Sequence, residues 1–169
     1  MADALSRLDP VPSTPASFAE VAITLAPPMQ RWSLRGRDPK ALEKLLGVKL
    51  PRKIGETQGD VACLGPDEWL WRSVGAAPKD TGAGLPLSVV DISERSVGFV
   101  IDGPAARVVL NAGCPLDLER FAVGRTTRTV YEGVEIVLHR ESETRWTLDV
   151  WRSFAEWLWL SLKTAAAHP

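Results

Sequence analysis

Two cysteines, two histidines, two methionines and one tyrosine are all that the 169-residue chain holds of those residue types. Cys63 and Cys114 cannot build a disulfide framework or a four-cysteine zinc site. His139 and His168 share no ligand spacing with each other or with the cysteines, so no metal site is expected. An excess of charge of one sign is also missing. Twenty Lys and Arg stand against 21 Asp and Glu, for a formal net charge of -1. Without a basic excess to release counterions, nucleic acid is not an expected partner. No apolar run exceeds five residues, against about 18 for a bilayer span, so no membrane is expected either. Met1-Ala-Asp-Ala-Leu-Ser-Arg7 lacks the basic and then apolar pattern of a secretory signal, and the expectation is a cytoplasmic protein. What is present is 45% hydrophobic and 24% charged residues, the balance of a globular protein of about one domain.

Pro10, Pro12 and Pro15 make residues 1–19 read as a flexible N-terminal arm. Residues 20–169 read as one domain. Val21 to Leu25 and Arg31 to Arg35 are expected strands. Asp38 then suits an N-cap, Pro39 the first helical position and Gly47 the left-handed C-terminal position, with Leu42, Leu45 and Leu46 facing inward. Val61 to Leu64 and Glu68 to Val74 flank Gly65-Pro66-Asp67 and form a hairpin. Residues 75–86, with Gly75, Pro78, Gly82, Gly84 and Pro86, are a loop. Strands from Leu87 and Val97, a helix from Ala105 to Asn111, a hairpin turning at Glu132-Gly133 and a strand from Arg145 follow. Ser153 and Glu156 are spaced as a capping box for a last helix that runs to about Ala166. The expectation is an α+β fold: an antiparallel sheet with helices on one face, in two βαββ-like halves at about 20–75 and 87–166.

No catalytic constellation is legible. His139 is out of phase with Val134, Ile136 and Leu138 and so points to the other face of its strand. There is no Gly-x-Ser-x-Gly elbow. Gly82-Ala-Gly84 lacks the third glycine and the strand-to-helix setting of a dinucleotide site. Asp91, Ser93, Glu94 and Arg95 form a polar patch. It reads as a local turn in which side chains bond nearby backbone, or else as a ligand-facing strand end. No catalytic, cofactor-binding or metal-binding residue is therefore assigned.

Seven tryptophans are the conspicuous surplus, and four of them, Trp146, Trp151, Trp157 and Trp159, fall in the last stretch of chain. Phe154, Leu158 and Leu162 form one stripe of the last helix. Trp157 and Leu160 lie to one side of it and Trp159 on the far side. A helix apolar on more than one face is not satisfied by one sheet. Core burial accounts for most of these residues, but Trp is also a favoured interface anchor. Trp151, Trp157 and Trp159 are the partner-interface candidates.

Several segments, in order, resemble the gamma subunits of heterotetrameric sarcosine oxidase. They are Leu64-Gly-Pro-Asp-Glu-Trp-Leu70, Val90-Asp-Ile-Ser-Glu-Arg-Ser96, Gly103-Pro-Ala-Ala-Arg-Val-Val-Leu110, Gly113-Cys-Pro-Leu-Asp-Leu118 and Arg152-Ser-Phe-Ala-Glu-Trp-Leu-Trp159. The likeness covers about residues 20–163. It implies a fold related to the folate-binding region of the glycine-cleavage aminomethyltransferase. It also implies an accessory place in a cytoplasmic complex that demethylates sarcosine to glycine, with tetrahydrofolate as one-carbon acceptor. The implied main partner is the alpha subunit, with beta and delta subunits in the same complex. FAD, FMN, NAD, tetrahydrofolate and zinc are implied on those other subunits and none on this chain. The sequence departs from the folate enzymes where their catalytic Asp would stand: Gly133-Val-Glu-Ile-Val-Leu138 offers only Glu135. The Lys-Gly-Cys-Tyr signature of the related iron–sulfur repair proteins is absent as well, since Gly113-Cys114-Pro115 does not match it.

Two functions follow as expectations. One is a non-catalytic subunit that supports assembly, with self-association when isolated. The other is a stand-alone folate or small-molecule binding module using Asp91. Folate titration separates them.

Overall fold

A computed structural model describes residues 9–168. Among the described residues, eleven strands form two antiparallel sheets and three α-helices pack on them. The strands are β1 (Ala16–Ser17), β2 (Ala22–Leu25), β3 (Gln30–Gly36), β4 (Thr57–Gln58), β5 (Val61–Gly65), β6 (Glu68–Ser73), β7 (Leu87–Asp91), β8 (Ser96–Asp102), β9 (Thr126–Tyr131), β10 (Val134–Arg140) and β11 (Arg145–Trp151). The helices are α1 (Pro39–Leu46), α2 (Ala106–Asn111) and α3 (Ala155–Ala167). The six-stranded sheet runs β1-β2-β8-β11-β10-β9 and the five-stranded sheet β4-β5-β6-β3-β7. The α+β class stands, with two sheets in place of one.

The two stretches of the chain exchange strands. β1 and β2 lie in the sheet otherwise built from the second stretch, where β2 pairs with β8. β7 pairs with β3 in the sheet otherwise built from the first. Period-2 alternation then sorts side chains between two environments. On β3, Trp32 and Leu34 face one core and Arg31, Ser33 and Arg35 the other side. On β6, Trp69 and Trp71 join that core, while Glu68, Leu70 and Arg72 turn away. Helix α1 covers this core through Leu42, with Leu45 and Leu46 packed at its edge. The second core lies between the six-stranded sheet and helices α2 and α3, and holds Phe99, Ile101, Tyr131, Trp146, Leu148, Leu158 and Leu162. The five-stranded sheet thus carries α1 on one face and the six-stranded sheet α2 and α3, and each turns its more polar face toward the other sheet.

Helix α1 forms as its sequence dictates. Asp38 Oδ1 accepts the Lys40 N–H at 2.9 Å, Pro39 opens the helix, and Gly47 closes it at φ 70°. Helix α3 does not start as expected. Ser153 and Glu156 make no capping box; a 3₁₀ turn over Arg152–Phe154 precedes Ala155, and no side chain caps the helix. The tighter turn supplies a backbone partner, with Ala155 N–H donating to Arg152 C=O. The expected flexible arm also looks different where it is described. Val11 is buried in the second core, and Ala16–Ser17 pairs with β2. Residues 1–8 of that arm, and Pro169, lie outside the described residues.

Candidate functional site

Two regions carry features beyond those needed to close a core. The first is the seam between the sheets. Arg31 on β3 donates its Nε–H to Asp149 Oδ1 on β11 at 2.8 Å, and its Nη2 lies 2.7 Å from the same oxygen. Both residues are buried. Gly98 stands opposite Asp149 in the β8–β11 register. A Cβ there would come within 2.6 Å of Arg31 Nη2, so the glycine makes room for the guanidinium. Further along, buried Glu68 receives both guanidinium nitrogens of Arg128 and a third contact from Arg35 Nη2 at 2.9 Å. The Arg128 hydrogen bonds hold the Glu68 carboxyl below the ordinary carboxylate range.

The third link across the seam is a hydroxyl–imidazole chain. Thr57 Oγ1 and the fully buried Thr126 Oγ1 are 2.8 Å apart, and Thr126 Oγ1 is 2.7 Å from His139 Nδ1. His139 Nδ1 also lies 3.1 Å from the Arg125 carbonyl. A carbonyl only accepts, so the neutral ring keeps its proton on Nδ1 and leaves Nε2 as an acceptor. Burial, then the nearby Arg72 charge, lowers the proton affinity of His139. Next to these groups a cavity of about 420 Å³ opens, lined by Arg31, Thr57, Asp60, Arg72, His139, Glu141, Thr147 and Asp149 among others. The sequence offers one sign of this seam: His139 is off the apolar phase of its strand. The pairing of Arg31 with Asp149, 118 positions apart, has no local signal.

The second region is the outer face of α3. Trp157 is 37% exposed and Leu160 54%, with Phe154 exposed beside them. Trp151, at the end of β11, is 45% exposed, and the Arg95 guanidinium sits 5.0 Å from its ring centroid. Trp159 is a different case. It is only 4% exposed and stacks on Phe99 with ring centroids 6.0 Å apart, so it belongs to the core and not to an interface. Phe154 likewise leaves the inward stripe, because the 3₁₀ turn shifts the phase. The buried stripe is Ala155, Leu158, Trp159, Leu162 and Ala166.

The remaining sequence candidates fall to local roles. Asp91 Oδ1 accepts the Ser93 N–H at 2.8 Å and bonds the Ser93 hydroxyl, whose oxygen accepts the Arg31 N–H. This is the turn reading of the patch. Glu135 is exposed and lies 3.6 Å from Arg128 Nε. Cys63 and Cys114 are buried in different cores. No described helix is long and apolar enough to cross a membrane.

The family model of the sarcosine oxidase gamma subunit matches residues 38–168. The chain belongs to that family. It is 36% identical over 128 residues to the sarcosine oxidase subunit gamma of Corynebacterium sp. (strain U-96), covering 69% of this chain and 62% of the relative. The corresponding subunit of Arthrobacter sp. is 34% identical over 63% of this chain and 58% of its own length. The chain thus matches about three fifths of the length of these two relatives. Among solved structures, a chain of the heterotetrameric sarcosine oxidase from Corynebacterium sp. U-96 superposes with a TM-score of 0.75 at 29% identity, over 87% of this chain and 84% of that one. The glycine cleavage system aminomethyltransferase T from Bartonella henselae gives a TM-score of 0.65 at 16% identity, over 85% of this chain and 45% of that one. The second likeness is one of fold. It agrees with the aminomethyltransferase-like architecture that the sequence motifs imply.

Proposed function

We propose that this gamma-family chain is a non-catalytic subunit that supports assembly of a heterotetrameric sarcosine oxidase, docking mainly on the alpha subunit through the outer face of α3. The observation that carries the reading is the row Phe154, Trp157 and Leu160, left open on a helix whose opposite face already fills a core. A helix apolar on both faces is one that has something on each side of it. Trp151 extends the row at the end of β11. Flavin, nicotinamide, folate and zinc chemistry then belongs to the other subunits, and the buried charges of this chain serve to join its two sheets.

Co-expression with the other three subunits tests this. Leu160→Asp and Trp157→Ala should each lower the yield of assembled oxidase, since truncating a central aromatic anchor costs about 2 kcal/mol or more of binding. The isolated chain should be colourless and should not turn over sarcosine. Assembly at normal yield and thermal stability in both variants would remove α3 from the interface. Saturable binding of tetrahydrofolate by the isolated chain would favour a folate-binding module instead.

A further inference from the structure

Among the described residues, four strands edge the two sheets, and three of those edges are closed. β1 and β4 are each two residues long. β9 is held at its ends by loop backbone, Thr126 N–H donating to Gly55 C=O at 3.0 Å and Glu132 N–H to Gly113 C=O at 2.8 Å, and it carries the charge of Arg128 between them. Short strands, charges and covering backbone are how proteins keep a sheet edge from pairing further. β7 has no such protection among the described residues. It reads Leu87-Ser-Val-Val-Asp91, without lysine, proline or bulge, and its one charge, Asp91, is turned back on Ser93.

Two hydrogen bonds fix which backbone groups of β7 point outward. Ile92 N–H donates to Arg31 C=O at 2.8 Å, and Gly36 N–H donates to Asp67 C=O at 3.0 Å on the other side of β3. Bonded and non-bonded pairs alternate along an antiparallel ladder. Ser88 and Val90 therefore bond to β3, while Leu87, Val89 and Asp91 turn their N–H and C=O groups away from it. Leu87 N–H is taken by Leu85 C=O at 2.8 Å. The N–H and C=O groups of Val89 and Asp91 have no partner among the described residues. Side chains alternate too: Val89 packs in the core of the five-stranded sheet, and Val90, 49% exposed, points to the opposite side. Ile92 follows on that side and lines a small hollow with Arg95 and Trp151. Arg152, next in the chain after Trp151, lines another with Ser93. The open edge is thus continuous with Trp151 and the start of α3.

An edge with free N–H and C=O groups is filled by another strand, whose backbone supplies the bonds and whose side chains supply the specificity. A second copy of this chain gains too little there. Pairing from Val89 to Asp91 covers a short edge, whereas stable interfaces bury about 1,200 Å² or more. A subunit already seated on Trp151 and α3 needs only to extend a segment across the adjoining edge. We propose that the subunit docking on α3 adds an extended segment to β7, antiparallel to it, with backbone bonds to Val89 and Asp91 and a β-branched or other apolar side chain against Val90. This second attachment rests on the docking role of α3.

Hydrogen exchange, read residue by residue in the isolated chain and in the assembled oxidase, tests it. In the isolated chain the amides of Val89 and Asp91 should exchange fast, and those of Val90 and Ile92 slowly. In the oxidase, exchange at Val89 and Asp91 should slow by about a hundredfold or more. Val90→Lys, which puts a charge on the exposed side of the edge, should lower the yield of assembled oxidase several-fold and leave the melting temperature of the isolated chain close to wild type. Unchanged exchange of Val89 and Asp91 in the oxidase would overturn the proposal. So would slow exchange of both in the isolated chain at every dilution, or Val90→Lys assembling at normal yield. Protection in the isolated chain that rises with concentration, with none added by the other subunits, would give the edge to a second copy instead. The two surfaces are read separately. Lost assembly in Leu160→Asp, with fast exchange at Val89 and Asp91 in the wild-type oxidase, keeps α3 and removes the edge. Protected amides with normal assembly of Leu160→Asp keep a strand on the edge and remove α3.

Discussion

Arg31 and Asp149 join the two sheets through one carboxylate oxygen, with Arg31 Nε and Nη2 both directed at Asp149 Oδ1. Removing one partner leaves the other charge buried, and such losses cost about 3–5 kcal/mol. Asp149→Ala should therefore lower the unfolding free energy by about that amount in urea titration. Gly98→Ala should destabilise as well, because its new methyl meets Arg31 Nη2 and the Ala26 Cβ, the latter at 2.8 Å. A double replacement, Arg31→Met with Asp149→Leu, should recover part of the loss, since apolar side chains leave no buried charge unpaired. Wild-type stability in Asp149→Ala would show that the pair does not hold the seam.

Glu68 sets part of the acid limb of stability. Its folded-state proton affinity is lowered, first by the Arg128 hydrogen bonds, from an ordinary value of 4.5. In acid the unfolded chain takes up this proton before the folded one does. The contribution is thus fully present above about pH 4.5 and lost as pH falls through the lower folded value. Glu68→Gln should flatten the pH dependence of the melting temperature below about pH 4.5 and lower its plateau near neutrality. An unchanged acid slope would place the sensitivity in other carboxylates.

His139 acts at milder pH and with the same sign. Burial is the first cause of its lowered proton affinity, and the Arg72 charge the second, from an ordinary value of 6.5. The unfolded chain therefore binds this proton first, and stability falls as pH drops below about 6.5. His139→Asn should remove that slope. A slope that persists in the variant would exclude this imidazole as its source.

Trp157 and Trp159 should respond oppositely to the same change. Trp159→Ala opens a hole beside Phe99 and should cost about 3–5 kcal/mol of folding stability. Trp157→Ala should change the stability of the isolated chain by less than about 1 kcal/mol yet lower the yield of assembled complex. Similar losses of folding stability in both would mean that the outer row is part of the chain's own packing.

Much of the fold is legible because its signals are local. Asp38, Pro39 and Gly47 specify α1 by cap chemistry alone. Gly65-Pro66-Asp67 places the β5–β6 hairpin, and Asp91 with Ser93 forms its turn within a few residues. The errors arise where distant packing decides. Ser153 and Glu156 have capping-box spacing, yet a 3₁₀ turn takes their place and carries Phe154 outward, while Trp159, four residues after Ala155 and three before Leu162, falls on the buried stripe of the helix that follows. Arg31, Arg35, Glu68 and Arg72 show the alternation of half-buried strands. Nothing local says that their polar side meets a second sheet bearing Arg128, His139 and Asp149.

The exchange of β2 and β7 between the sheets interlocks the two stretches of chain. Neither is a finished unit: one sheet needs β1 and β2 from upstream, and the other needs β7 from downstream. The loop of residues 74–86 is mostly exposed, so a protease would cut there first. The cut would yield two fragments that stay clasped, each supplying a strand to the other's sheet. Released by denaturant and mixed again, they would have to find one another before either could fold, and renaturation would follow second-order kinetics.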